Sequence, residues 1–326
     1  MRRIVVAAAI LALSTPLIAE GPAFGAPKQY TLVVGSLGGT MGRLGAGLAD
    51  IVNRKAKDFK FSVVPGGGRA NPARIGGGGG DIGYSFSNFV ANATAGKVPF
   101  KKKYPNLRGI AQFWQSCYHQ YAAKDQMDAG IRSWKDIVNS KKPLKVGPAK
   151  KGTSTEYITR LIVGHYGSSY KDLKKRGYKL NFAGVNGMSR AIRSSQIDFY
   201  FHNSGDPNGA GIQAALGRNL RFLKLEDDAK NMLVKAGFSP CKIPGGIYRG
   251  IDQATSSVGA NGVLLTTDKM DPNVVYNTLK IIVDNKKFLG GVHKIYKKWN
   301  PKSASKGLGA ALHPGAARFY KEMGVN

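Results

Sequence analysis

Short runs rich in β-branched and aromatic residues alternate with glycine-rich turns and then with apolar residues at helical spacing. Tyr30-Thr31-Leu32-Val33-Val34 is the first run, followed by the turn Gly35-Ser36-Leu37-Gly38-Gly39-Thr40. Leu44, Leu48, Ile51 and Val52 then recur at the spacing of one helix face. Phe59 to Val64 reads as the next strand, stopped by Pro65-Gly66-Gly67-Gly68; Asn71 to Ile75 fits a short helix, and Ile82 to Phe86 a third strand. Strand, turn, helix and strand in this order predict a parallel α/β layer, because parallel neighbours need a crossover helix.

The same order returns further on. Leu144 to Gly147 reads as a strand, Gly152-Thr153-Ser154-Thr155-Glu156 leads into a helix with Ile158, Leu161 and Ile162, and Lys179 to Phe182 is a short strand. Met188 to Ile192 suggests a helix and Ile197 to Phe201 another strand. The segments ANPARIGGGGGDIGYSFSNF and NGMSRAIRSSQIDFYFHNSG each combine a short helix, a tight turn, an aspartate (Asp81, Asp198), a strand and small polar residues. That parallel is a weak sign of internal duplication, and it fits two lobes of one architecture. Beyond Cys241, Gly262 to Thr266 reads as a strand and Val274, Val275, Leu279 and Ile282 as a helix face. The expected division places residues 27–115 and 242–326 in one lobe and 116–241 in the other, with two crossings between them.

The N-terminus, MRRIVVAAAILALSTPLIAEGPAFGA, has Arg2 and Arg3 before an apolar run and small residues at Ala23 and Gly25. This is the pattern of a secretory signal peptide, residues 1–25, and it predicts a periplasmic protein. No later stretch is apolar enough to cross a membrane, so the mature chain is expected to be soluble. Cleavage after Gly25 leaves 301 residues, enough for two lobes. The net charge of +30 becomes +29 on losing Arg2, Arg3 and Glu20. Such a charge invites comparison with nucleic-acid binding. The lysine clusters, such as Lys101-Lys102-Lys103 and Lys174-Lys175-Arg176, lack the interleaved aromatics of a base-stacking platform. No nucleic-acid partner is expected; attraction of anions is. Cys117 and Cys241, 124 positions apart, are free to pair in an oxidising compartment, and the sequence leaves open whether they do.

Several motifs, in order, resemble the solute-binding proteins of the TAXI branch of tripartite ATP-independent periplasmic (TRAP) transporters. They include Gly35-Ser36 with Gly38-Gly39-Thr40, Pro65-Gly66-Gly67, Asn71, Gly80-Asp81-Ile82 and Lys151-Gly152-Thr153-Ser154-Thr155-Glu156. Gln196-Ile197-Asp198, Gly205-Asp206-Pro207, Pro244-Gly245-Gly246-Ile247-Tyr248 and Leu312-His313-Pro314-Gly315-Ala316 continue the series. The resemblance implies a type II periplasmic-binding-protein fold, with two lobes of mixed and parallel sheets and a hinge of two crossings. It also implies delivery of a carboxylate or amino acid to a TRAP membrane permease with fused small and large subunits. The chain departs from the family at Met41-Gly42-Arg43, where a tyrosine commonly follows Gly-Gly-Thr, at Arg69-Ala70, and at Phe86-Ser87-Asn88.

In such a fold a ligand lies at the C-terminal ends of strands and the N-termini of helices, where free N–H groups favour an anion. Ser36, Gly39 and Thr40 of the first turn are candidates, as are Arg69, a potential bidentate clamp, and Asn71. Gly152, Thr153, Ser154 and Thr155 supply hydroxyls at a helix start, although a cap residue there is expected in any case. Strand ends contribute Tyr84, Ser85 and Ser87, and His202 and Asn203 beside Tyr200; His202 is expected either to donate to an anion or to be a satisfied, inert histidine. Tyr248, Trp114 and Phe113 are candidate walls. The glycine loop matches neither nucleotide-binding spacing. No serine-hydrolase elbow is present, and Asp198, Asp206 and His202 make a weak metal set. A monomeric, non-catalytic receptor without cofactor or metal is therefore expected. A ligand-binding module for a membrane sensor, or an enzyme on the same fold, are the alternatives.

Overall fold

Tyr30, Leu32 and Val33 turn inward from β1 (Lys28–Val33), the first strand of a computed structural model that describes residues 26–325. The expected signal peptide lies outside the described residues. Helix α1 (Thr40–Lys55) packs Leu44, Leu48, Ile51 and Val52 inward, and Arg54 and Lys55 sit in its last turn, where the helix dipole favours cations. There follow β2 (Phe59–Val64), α2 (Asn71–Gly76), β3 (Ile82–Phe86), α3 (Ser87–Ala95) and β4 (Leu107–Gln115). Gly96 ends α3 in the left-handed conformation that a glycine adopts without strain.

The second series comprises β5 (Cys117–Ala123), α4 (Lys124–Asp128), α5 (Trp134–Asn139), β6 (Lys145–Gly147), α6 (Ser154–His165) and α7 (Tyr170–Lys175). It continues with β7 (Lys179–Leu180), α8 (Val185–Arg193), β8 (Phe199–Ser204), α9 (Gly209–Gly217), β9 (Leu220–Phe222) and α10 (Asp227–Lys235). A ribbon of β10 (Ser239–Ile243) and β11 (Thr255–Gly259) precedes β12 (Asn261–Thr267). Helices α11 (Pro272–Asp284), α12 (Lys286–Val292), α13 (Lys294–Lys298) and α14 (Pro314–Glu322) close the described chain. The strand expected to reach Phe182 stops at Leu180, because its neighbour β6 is only three residues long.

The two five-stranded sheets have one topology. Their orders are β2-β1-β3-β12-β4 and β7-β6-β8-β5-β9. In each, three parallel strands are followed by one antiparallel strand, β12 or β5, and then an edge strand. The aspartates seen in the two similar sequence segments occupy matching places. Asp81 N–H donates to Thr31 O at the start of β3, and Asp198 N–H to Lys145 O at the start of β8. Two lobes with mixed sheets and connecting helices are the expected type II periplasmic-binding architecture.

The chain passes between the sheets at Ser116, which joins β4 to β5, and at Ala260, which joins β11 to β12. The two passages are tied together: Ser116 N–H donates to Ala260 O (2.9 Å), and Ala260 N–H donates to Ser116 Oγ (3.1 Å). The boundary expected at 241/242 falls inside β10, and the β10–β11 ribbon packs on the second sheet. Ser257 Oγ donates to Tyr118 O, and Ile243, Tyr248 and Ile251 share a core with Tyr121 and Tyr200. Cys117, at the start of β5, is disulfide-bonded to Cys241 in β10, so the two cysteines do pair and fasten the ribbon beside the hinge. Both cysteines of protein refolded in oxidising buffer should resist alkylation until reductant is added, then take two labels. Labelling of either in the oxidised, folded protein, read by mass, would contradict the pairing.

Candidate functional site

Three helices of nine residues or more point their N-termini into the space between the lobes: α1 from the first lobe, α6 and α8 from the second. Their first N–H groups have no partner within the helix. Gly39 and Gly184, the N-cap residues of α1 and α8, have no side chain to satisfy them. These turns meet around a cleft of about 570 Å³, part of it open to solvent. Its walls are apolar, with Met41, Phe86 and Trp114 on one side and Met188 and Phe201 on the other. No aspartate or glutamate is among its lining residues, and Lys150, at the exposed rim, carries the one permanent charge there.

Of the candidates drawn from the sequence, Ser36, Gly39, Thr40, Thr153, Ser154, Thr155, His202 and Asn203 all line this cleft. Thr153 is already occupied. It caps α6 by accepting from Glu156 N–H (3.2 Å), and its own proton goes to Lys150 O (2.7 Å). Ser154 and Thr155 are organised from β8 instead. Asn203 Nδ2 donates to Ser154 Oγ (3.1 Å), and Asn203 N–H donates to Thr155 Oγ1 (3.0 Å). Gly152 stands at φ 87° in the turn before α6, where other residues are strained.

Most of the remaining candidates do not line the cleft. Asn71 is wholly buried, taking Gly67 N–H and donating to Val34 O and Tyr84 O. Ser85 Oγ donates to Gly68 O, and Tyr84 shares its hydroxyl with Tyr296 in the first core. Ser87 opens α3 and Arg69 sits half-buried toward Tyr157. The Tyr248 hydroxyl contacts His119 Nε2 (2.9 Å) and the Asn208 amide (2.9 Å) beneath the second lobe's floor. Trp114 lines the cleft as expected, whereas Phe113, pointing the other way along β4, stacks on Trp299. Lys150, Gly184, Met188 and Ser204 escaped the sequence reading. Lys150 immediately precedes the recognised Lys151-Gly152-Thr153 motif, the one signal that pointed near it.

His202 departs from its expected chemistry. Burial, helped by the neighbouring His119, pushes its pKa down to about 3. Its Nδ1 lies 3.2 Å from Asn208 Oδ1, and Asn208 Nδ2 is committed to the hydroxyls of Tyr121 and Tyr248. The imidazole is thus neutral, with its proton on Nδ1, and Nε2 remains as an acceptor rather than a donor for an anion. Because the folded pKa lies below the ordinary 6.5, the unfolded chain takes up this proton first as the pH falls. The associated stability is complete above about pH 6.5 and is lost toward pH 3, by at most roughly 1.4 kcal/mol per pH unit. The unfolding temperature should therefore fall on acidification from pH 7 to 4. His202→Gln should flatten that dependence; an unchanged slope would contradict the buried neutral imidazole.

Solved structures share this architecture. MatC from Rhodopseudomonas palustris, with bound malate, is 13% identical, matching 82% of this chain and 88% of its own at a TM-score of 0.52. PhnD1 from Prochlorococcus marinus, in complex with methylphosphonate, is 10% identical, matching 92% and 100% at a TM-score of 0.53. Likeness at such identities establishes the fold alone. Family membership rests on sequence: the NMT1-like family profile matches residues 32–324, from β1 through both lobes and the cleft between them to the end of α14, and the chain belongs to the NMT1-like family.

Proposed function

We propose that this chain is an extracytoplasmic receptor that closes its two lobes on a small anionic solute, most simply a carboxylate, and hands it to a TRAP-type membrane permease. The observation that carries the reading is the convergence of three helix N-termini on a cleft lined by no acidic side chain. Helix N-termini favour negative charge, and the low-dielectric walls strengthen that preference. Ser36, Thr40, Ser154 and Thr155 are the proposed hydroxyl contacts, Gly39 a backbone contact, and Lys150 the rim cation. Asn71, Ser85 and Tyr248 are proposed to shape the site from behind. The ribbon's packing supports lobe limits at Ser116 and Ala260. Delivery to a fused-subunit permease rests on the ordered TAXI-like motifs, and export on the signal-like residues 1–25. The anions bound to MatC and PhnD1 accord with the charge preference.

The test is a thermal-shift and calorimetric screen of protein stripped of carried-over solute by unfolding and refolding. Mono- and dicarboxylates, 2-oxo acids, phosphonates and neutral polyols form the panel. A bound anion at a hundred times its Kd should add about 2.7 kcal/mol of stability. Binding confined to neutral polyols would remove the anion reading.

A further inference from the structure

We infer that the cleft selects an acid that also carries an uncharged hydrogen-bond donor, a hydroxy acid, over the matching plain, oxo or amino acid. This deepens the anion-receptor reading and depends on it. Buried polar atoms without partners among the described residues lie on both sides of the cleft.

On the donor side, Ser154 Oγ and Thr155 Oγ1 each accept a bond from Asn203, so each keeps its own proton for another acceptor. Trp114 is 7% exposed, and its Nε1–H, on the opposite lobe, has no acceptor among the described residues. Its indole edge lies against Gly205, one residue beyond the cleft-lining Ser204. An anion at the helix N-termini meets the Ser154 and Thr155 hydroxyls, and the indole N–H is a further donor at the edge of the cleft.

On the acceptor side, Asn203 is 6% exposed and its Nδ2 is held by Ser154, which leaves Oδ1 without a donor. His202 Nε2 is a further acceptor, since Nδ1 faces Asn208 Oδ1, although unlike Asn203 Oδ1 it is not a sealed, unpartnered atom. Both residues line the cleft, adjacent on β8. The Tyr200 hydroxyl is also unpartnered, but it serves either role and does not discriminate.

A plain or oxo acid satisfies the donors and leaves the acceptors empty, and an empty buried acceptor carries its desolvation penalty. An ammonium group reaches the acceptors, but no lining carboxylate compensates its buried charge. A hydroxyl donates without bringing charge, so it alone satisfies both sides.

The experiment is calorimetric titration of the stripped protein with two matched sets: lactate, propionate, pyruvate and alanine; and malate, succinate, oxaloacetate and aspartate. In the set whose length fits, the hydroxy acid should bind at least about tenfold tighter than each counterpart. Equal or tighter binding of a plain, oxo or amino acid overturns the inference and leaves the anion receptor standing. No binding by any of the eight overturns the inference, and the phosphonates and polyols of the wider screen then decide whether the anion receptor stands. Asn203→Asp, checked for folding by circular dichroism, supplies the missing negative charge and should shift the preference at least about tenfold toward the amino acid. A folded variant with the wild-type preference would remove Asn203 from the selection, and the wild-type comparison needs no variant.

Discussion

Gly67→Val is expected to weaken solute binding about a hundredfold while leaving the melting temperature of the solute-free protein nearly unchanged. Gly67 stands where the lobes meet. A Cβ there would lie 2.5 Å from Gly152 O and 2.9 Å from Gly152 C, which are backbone atoms of the other lobe and cannot swing aside. The same Gly152 carbonyl is held by Ala70 N–H (3.3 Å), so the contact belongs to the closed seam. Gly67 is outside the left-handed region, so a larger side chain adds no backbone strain of its own. On the proposed closure, a valine that faces solvent in the open state places the penalty on closure alone. Overpacking of this kind costs about 1–3 kcal/mol, and a hundredfold in Kd corresponds to about 2.7 kcal/mol. Gly38→Ala is the control: the three atoms nearest its Cβ would all belong to the Asn186 side chain, which can rotate, so the loss should stay below about threefold. Titration gives the affinities, and small-angle scattering shows whether solute still compacts the variant. Wild-type affinity in Gly67→Val would mean that the seam is not part of the bound state.

The difference between these glycines shows what was legible in the sequence. Gly35 to Thr40 and Pro65 to Gly68 announced turns between a strand and a helix, and the alternation of elements announced α/β layers. The matched segments around Asp81 and Asp198 even hinted at the repeated topology, because each aspartate starts an equivalent strand. Which glycine touches the other lobe was hidden, since that depends on residues more than eighty positions away. The second crossing was hidden for a similar reason. The crossing was expected at 241/242 and the strand at Gly262 to Thr266, whereas β11 and β12 are separated by Ala260 alone, and only the pairing of Ser116 with Ala260 shows where the chain changes sheets. Polar residues at strand ends divide in the same way. Asn203 and Tyr84 looked alike in sequence, yet one lines the cleft and the other joins Tyr296 in the core.

Asn71 makes that ambiguity measurable. Its side chain closes three buried hydrogen bonds, from Gly67 N–H (2.9 Å) and to Val34 O (2.8 Å) and Tyr84 O (2.7 Å). These tie the glycine loop to the ends of β1 and β3, the two strands on which the first lobe's half of the cleft is built. Asn71→Ala leaves one donor and two acceptors buried without partners, at about 1–3 kcal/mol each. A loss of at least about 3 kcal/mol is expected, on the order of 10 °C in Tm for a chain of this size. Asn71→Asp should be no milder: one oxygen can still accept from Gly67, but the other would face two carbonyl oxygens where the amide had donated. To relieve that, the carboxyl must stay protonated, so its folded pKa is raised above the unfolded value. The Asp variant should then lose further stability as the pH rises above the ordinary carboxylate range. A side chain that acted by touching solute would behave otherwise, changing Kd with little movement in the Tm of the stripped protein. Thermal unfolding of stripped Asn71→Ala distinguishes the two, and a Tm within about 2 °C of wild type would remove the structural role assigned to this residue.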